Sequence, residues 1–319
     1  MHRGWTAALC VAATLAVGPA CSGNGGDGNP EEAGGTSGTI ESEGEGPDSG
    51  SASTYYRTVV FVDASKNPTM FVPWDFENRT EADSIHRILR GWLGRGGEWR
   101  QFADEEWGTP PSRAPWRILP RGSVRLVMGF NDVLLELYYQ EGIADLSVQP
   151  GAVMAQWSGQ RGDTYRLHAA AARLSRAEYQ GLVVDAYAPR AGSSDPPSEW
   201  CLLIGDGPLY LLIADLEGPG PHRAWALQGS EETFWPAVTV TWLETLSFER
   251  ARREIPVLWR FGSADDGLAG EIESVSSHLQ TLAGEGLILP VLGVHEVAGQ
   301  VTIGETQVAV KGFLRHFQR

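Results

Sequence analysis

Strand-forming runs, frequent turns and a near absence of helical periodicity mark the chain as all-β. Short runs rich in Val, Ile, Leu, Tyr and Trp recur after Trp116. Turn signals built from Gly, Asp, Asn and Pro separate them every 8–15 residues. A single helical pattern stands among them, in place of the regular alternation of strands with helices that a parallel α/β sheet would need. Many short strands so punctuated read as sandwiches or barrels. The folded part begins near Tyr55 and holds about 265 residues, enough for one large or two modest domains.

Taken in chain order, the helical pattern comes first. Thr80-Glu81-Ala82-Asp83 places a capping residue before an acidic first turn, and Ile85, Ile88, Leu89, Trp92 and Leu93 follow at helical spacing. After Gly94-Arg95-Gly96-Gly97 comes a second amphipathic run, Trp99, Phe102 and Trp107. The expectation is a short helical insertion near residues 80–107 whose aromatics cap a barrel end. Arg125–Met128 and Val133–Tyr139 then flank Gly129-Phe130-Asn131-Asp132, a turn composition. The clearest hairpin joins Trp200–Ile204 to Leu209–Ile213 through Gly205-Asp206-Gly207-Pro208, where Asp-Gly tolerates positive φ. Both of its strands are apolar on both faces, so the hairpin is expected to be covered on both sides. At the C-terminus, Val301, Ile303, Val308 and Val310 alternate with polar residues around Gly304-Glu305, the pattern of a half-solvated hairpin.

The first 54 residues carry an address. Met1-His2-Arg3 is followed by an apolar run from Trp5 to Val17, about 13 residues and too short for the ~20 that a bilayer span needs. Gly18-Pro19-Ala20-Cys21 then resembles the lipobox of bacterial lipoproteins, although Gly18 stands where Leu or Val is usual. The resemblance implies a signal peptide over residues 1–21, lipidation of Cys21 and an exported lipoprotein anchored in the cell envelope, with the outer membrane as its site. Residues 22–54 hold seven acidic side chains, no Lys or Arg, and almost nothing that could form a core. Such a segment cannot offset its ordering entropy and is expected to be a disordered tether.

Charge excludes one class of partner. The chain has a net charge of −15. Without the signal and the tether, 24 basic and 33 acidic residues remain, a net of −9. A chain this acidic, without a basic stripe, does not read as a nucleic-acid binder. On the same argument the folded surface should not adsorb to an anionic membrane, so attachment would fall to the lipid on Cys21. Cysteine usage adds little, since Cys10 is in the signal, Cys21 at the lipobox and Cys201 alone.

From Glu199 to the C-terminus the chain is similar to the lipocalin-like family of bacterial AttH proteins and carotenoid 1,2-hydratases. The residues that carry the similarity are Glu199-Trp200, Trp242, Ile255-Pro256-Val257-Leu258-Trp259, Gly299-Gln300-Val301, Gly304 and Val310-Lys311-Gly312-Phe313. The N-terminal half matches more loosely, through Trp157-Ser158-Gly159 and Tyr165–Ala171. In two respects the chain departs from the family. Its early Glu-Trp-Trp-Tyr segment has no counterpart, and the Glu that follows the last Gly by three residues is replaced by Arg315. The resemblance implies two lipocalin-like β-barrel or sandwich domains, over residues 55–195 and 196–319. It implies either binding of a hydrophobic small molecule, a lipid or polyene, or acid-catalysed hydration or isomerisation of an isoprenoid-type double bond. A surface interaction module without a small ligand is the third reading.

The residues offer few chemistries. The histidines show no ligand spacing and Cys201 lies in an apolar strand, so neither a metal nor a cofactor is expected, and the thiol should be inert. No Gly-x-Ser-x-Gly elbow and no phosphate-cradling loop is present. A carboxylic acid kept protonated in an apolar cavity could serve a hydratase. Asp185, Glu199 and Asp215 flank apolar strands and are the candidates, while Asp206 belongs to a turn. Trp157, Trp200, Trp242 and Trp259 sit in predicted strands and are the candidates for a ligand-binding wall. The chain is read as a monomer.

Overall fold

Antiparallel strands dominate the computed structural model, which describes residues 53–63, 69–111, 123–129, 132–141, 144–159, 162–191, 196–214, 221–265 and 267–319. Cys21, Asp215 and nearly all of the tether lie outside the described residues. The first sheet has nine strands: β1 (Ser53–Asp63), β2 (Met70–Thr80), β3 (Ile85–Arg95), β4 (Glu98–Thr109), β5 (Val124–Met128), β6 (Leu134–Glu141), β7 (Ala144–Ser158), β8 (Thr164–Leu174) and β9 (Ala177–Ala191). Their spatial order is β4-β3-β2-β1-β9-β8-β7-β6-β5, so the first and last strands of this half meet in the middle. The second sheet comprises β10 (Glu199–Gly205), β11 (Leu209–Ala214), β12 (His222–Gln228), β13 (Glu231–Phe248), β14 (Arg253–Ser263), β15 (Leu268–Thr281), β16 (Val291–Ile303) and β17 (Thr306–Gln318). Each strand pairs with the next, and β17 pairs back onto β10 to close the barrel. These are two lipocalin-like β modules, a half-barrel sheet and a closed eight-stranded barrel.

The helical insertion expected near residues 80–107 is not there. Those residues end β2 and form β3 and β4, joined by Gly96-Gly97 with φ of 62° and 82°. Two consecutive positive-φ glycines are the signature of a type I′ hairpin turn. The misleading period has a physical cause. β3 is buried on both faces, so Ile85, Ile88, Leu89 and Trp92 are all apolar without alternating, and a bulge between Gly91 and Trp92 shifts the register mid-strand.

Among the described residues four apolar clusters hold the fold, three large ones and a small one around Ala251, Ile255 and Val291. One face of the nine-stranded sheet encloses Val59, Phe61, Val72, Trp74, Leu137 and Val148. The opposite face, through Val62, Phe71, Trp92, Trp157 and Tyr165, packs on the outer wall of the barrel, through Trp200, Leu202, Leu212, Trp225 and Phe313. Cys201, Leu203, Leu211, Trp259, Val297 and Leu314 fill the barrel interior. The Trp200–Ile213 hairpin is therefore covered on both sides, odd positions of β10 facing inward and even ones facing the other sheet. Arg315 adds a buried ion pair across the two modules, its Nη2 2.9 Å from Asp75 Oδ2, and Asp75 also accepts from Thr58 Oγ1 at 2.6 Å.

One end of the barrel splits. Pairing of β14 with β15 covers only Leu258↔Glu273 to Gly262↔Ala269. Beyond it, β13–β14 continues as one ribbon to Phe248↔Arg253, and β15–β16 as another to Thr281↔Val291. A strap, residues 282–290, crosses back to the first ribbon, where Leu289 N donates to Ala251 O at 3.1 Å and Arg253 Nε to Leu289 O at 2.7 Å. The second ribbon leans on β4, with Trp99 Nε1 donating to Ser276 Oγ at 3.0 Å.

Candidate functional site

The inward row of β10 begins at Glu199, on the same side of the strand as Cys201 and Leu203, and that parity carries a carboxylate into the split end of an apolar barrel. His316, at the end of β17, lies opposite it in register. Its Nδ1 is 3.0 Å from Glu199 Oε1. Trp259 Nε1 donates to the same oxygen at 2.8 Å, and Trp242 Nε1 donates to Oε2 at 3.4 Å. His222 Nε2 stands 4.0 Å from Oε2. The carboxylate thus gathers four side chains from β12, β13, β14 and β17.

Burial alone would raise the pKa of Glu199. The hydrogen bond and charge of His316, the Trp259 indole N–H and the charge of His222 outweigh it, and the pKa lies below the ordinary carboxylate value. This reverses the expectation of a protonated acid at such a position. An ionised carboxylate can only accept, so His316 Nδ1 carries the proton in their hydrogen bond. The orientation leaves His316 Nε2 facing away from Glu199, buried and without a hydrogen-bond partner among the described residues. The Trp242 ring stands edge-on to the imidazole with centroids 5.5 Å apart.

A third histidine sits one strand away from His316. His295 Nδ1 is 3.1 Å from Ser274 Oγ, and its ring is edge-on to Trp259 at 5.4 Å. Burial, aided by the charge of His316, lowers its pKa to about 3, so it is neutral at physiological pH. Cys201 is buried beside Glu199, and burial followed by that negative charge pushes its thiol up, out of nucleophilic range. Among the described residues no group of three or more His, Cys, Asp or Glu side chains is placed to hold a metal ion.

The pocket beside Glu199 is lined by Cys201, Ile213, His222, Trp259 and Leu314, among others. Its free space of about 20 Å³ holds roughly one water molecule. Of the residues singled out in the sequence, Glu199, Trp242 and Trp259 converge here. Trp200 points its ring to the other module, 5.4 Å from Phe313, and Trp157 belongs to the same packed interface. Asp185 is a structural partner, fully buried and gripped by Arg57 at 2.7 and 2.6 Å. The three histidines escaped notice because each is isolated along the chain. Their signal was parity, since His222 shares the inward row of Ala224 and Ala226, and His316 that of Gly312 and Leu314.

No protein-family model matches the chain, and no curated protein matches it. Solved structures do. Kievitone hydratase from Nectria haematococca superposes with a TM-score of 0.53 at 12% identity, covering 82% of this chain and 87% of that one. A protein of Nitrosomonas europaea assigned as AttH superposes with a TM-score of 0.52 at 11% identity, covering 82% and 91%. At such identities the likeness establishes the fold, that of the AttH-type lipocalin-like proteins.

Proposed function

We propose that the split end of the barrel takes up an apolar, unsaturated small molecule, and that His316, oriented by Glu199, moves a proton at one of its double bonds. One observation carries this reading: Glu199 borders a small, mainly apolar pocket and holds, by Nδ1, a buried imidazole whose Nε2 has no hydrogen-bond partner among the described residues. Buried titratable groups with charged partners concentrate at functional sites. The carotenoid-hydratase resemblance and the shared fold of kievitone hydratase support the same class.

Imidazolium Nε2–H gives its proton to one alkene carbon, and positive charge forms on the neighbouring carbon, while Glu199 stays bonded to Nδ1 and keeps the ring in place. Water then adds to that carbon and returns a proton to Nε2, giving hydration. Loss of an adjacent C–H proton to Nε2 would instead give isomerisation. A molecule of polyene size needs far more room than the closed pocket offers, so the two ribbons must part to admit it.

Incubation with an acyclic polyene such as lycopene in deuterated water tests the reading. The expected result is deuterium in the polyene, or a gain of one water, abolished by His316→Phe. Retention of the polyene with no deuterium uptake would favour a pure binding protein.

We further infer an envelope lipoprotein, held by lipid on Cys21 and spaced from the membrane by residues 22–54. Labelling with a radioactive fatty acid should mark the parent and not Cys21→Ser; a parent without label would contradict lipidation.

A further inference from the structure

We propose that the tip of the split barrel end, made of the 249–253 turn and the 282–290 strap, docks on an anionic phospholipid bilayer. Leu287 and Ile288 would enter among the acyl chains, and Arg250 and Arg252 would meet the phosphates.

An exposed aliphatic pair and a basic run meet at this tip. Leu287 and Ile288 are adjacent and 73% and 55% exposed. They are not loose, because the next residue, Leu289, is bonded to the turn through Ala251 O and Arg253 Nε. A rigid, protruding aliphatic pair loses little freedom on insertion. Beside it lies the densest basic run of the chain, Arg250, Arg252 and Arg253 within four positions. Arg250 and Arg252 are exposed, and neither forms an ion pair among the described residues. Glu249, Glu254 and Glu285 are the acidic neighbours. In a chain of net charge −15, most of the surface is repelled by anionic lipid. Unpaired guanidiniums at one tip therefore orient the molecule as well as attract it.

An apolar row leads inward from this tip. Leu246, 55% exposed, pairs in register with Ile255, and Trp242, 43% exposed, stands at the barrel end against His316. A bilayer at the tip would lie against the far end of the split, so that an apolar ligand leaving the membrane meets the gap between the two ribbons. The docking goes beyond the acid–base reading and does not require it.

The test uses the full chain carrying Cys21→Ser, so that no lipid at that position can hold it. Co-sedimentation is measured with vesicles of phosphatidylcholine mixed with phosphatidylglycerol, and with phosphatidylcholine alone. The expected result is binding to the mixed vesicles, weaker binding to the neutral ones, and loss on Leu287→Ser/Ile288→Ser. Arg250→Gln/Arg252→Gln should weaken binding about fivefold per arginine, from ~1 kcal/mol per charge near an anionic surface. All four side chains are exposed, so thermal melts should be unchanged and folding loss can be told apart. Equal sedimentation of the variants and the parent would overturn the proposal. So would a parent dimer that both variants dissolve, which would assign the tip to a second copy of the chain.

Discussion

Glu199 is the residue on which the candidate site turns, and its protonation sets a pH dependence. Its folded pKa lies below the ordinary 4.5, so the stability it contributes is present above that value and lost as pH falls through the folded one. His295 acts in a higher window. Its ordinary value is 6.5 and its folded value about 3, so between these the unfolded chain binds a proton that the folded chain refuses. Stability should therefore fall as the pH drops across that interval, with a slope of up to about 1.4 kcal/mol per pH unit from this group. His295→Gln removes the term, and its stability relative to the parent should rise on acidification. Denaturant melts at several pH values check this; a difference between the two that stays constant with pH would contradict the neutral, buried imidazole. At this scale the carboxylate was legible, because a Glu opening an apolar strand is unusual. Its ionised state was not, since it depends on partners 23 to 117 residues away.

Strand pattern decides what each element buries, and the clearest case is the β10–β11 hairpin. Leu211 is fully buried in the barrel interior. Leu211→Ala should cost ~2–5 kcal/mol in denaturant melts, and Leu211→Asp should prevent folding. Gly312 on β17 is a sterner test of barrel closure, because a Cβ there would lie 2.0 Å from the carbonyl oxygen of Leu202. Gly312→Ala should leave β17 unable to pair with β10, read as loss of the cooperative melt; normal melting would refute that close approach. The turns around Gly205-Asp206 and Gly304-Glu305 were readable because their chemistry is local. The β3–β4 hairpin was not, because burial on both faces erased the alternation that marks a strand and left a spacing that also fits a helix.

At the scale of the whole molecule, the second sheet determines which tryptophans can meet a ligand. Trp200 and Trp157 pack between the modules, while Trp242 and Trp259 turn to Glu199, and no local pattern distinguishes these fates. Arg315 shows the same dependence, since its partner Asp75 is 240 residues away. Asp75→Ala strands a buried guanidinium and should cost about 3–5 kcal/mol, whereas the paired change Asp75→Leu with Arg315→Met should cost much less. Equal losses would mean that the pair is not buried as described.

Carbon-13 NMR of the Glu199 carboxylate can show both whether it is ionised and whether it meets an apolar ligand. The spectrum is recorded through an acid titration, with and without saturating cis-parinaric acid, a conjugated polyene. One carboxylate, absent in Glu199→Gln, should be ionised at neutral pH, titrate below the ordinary glutamate range and shift when the polyene binds. A carboxylate protonated at neutral pH, or one that the bound polyene leaves unmoved, would contradict the proposed site.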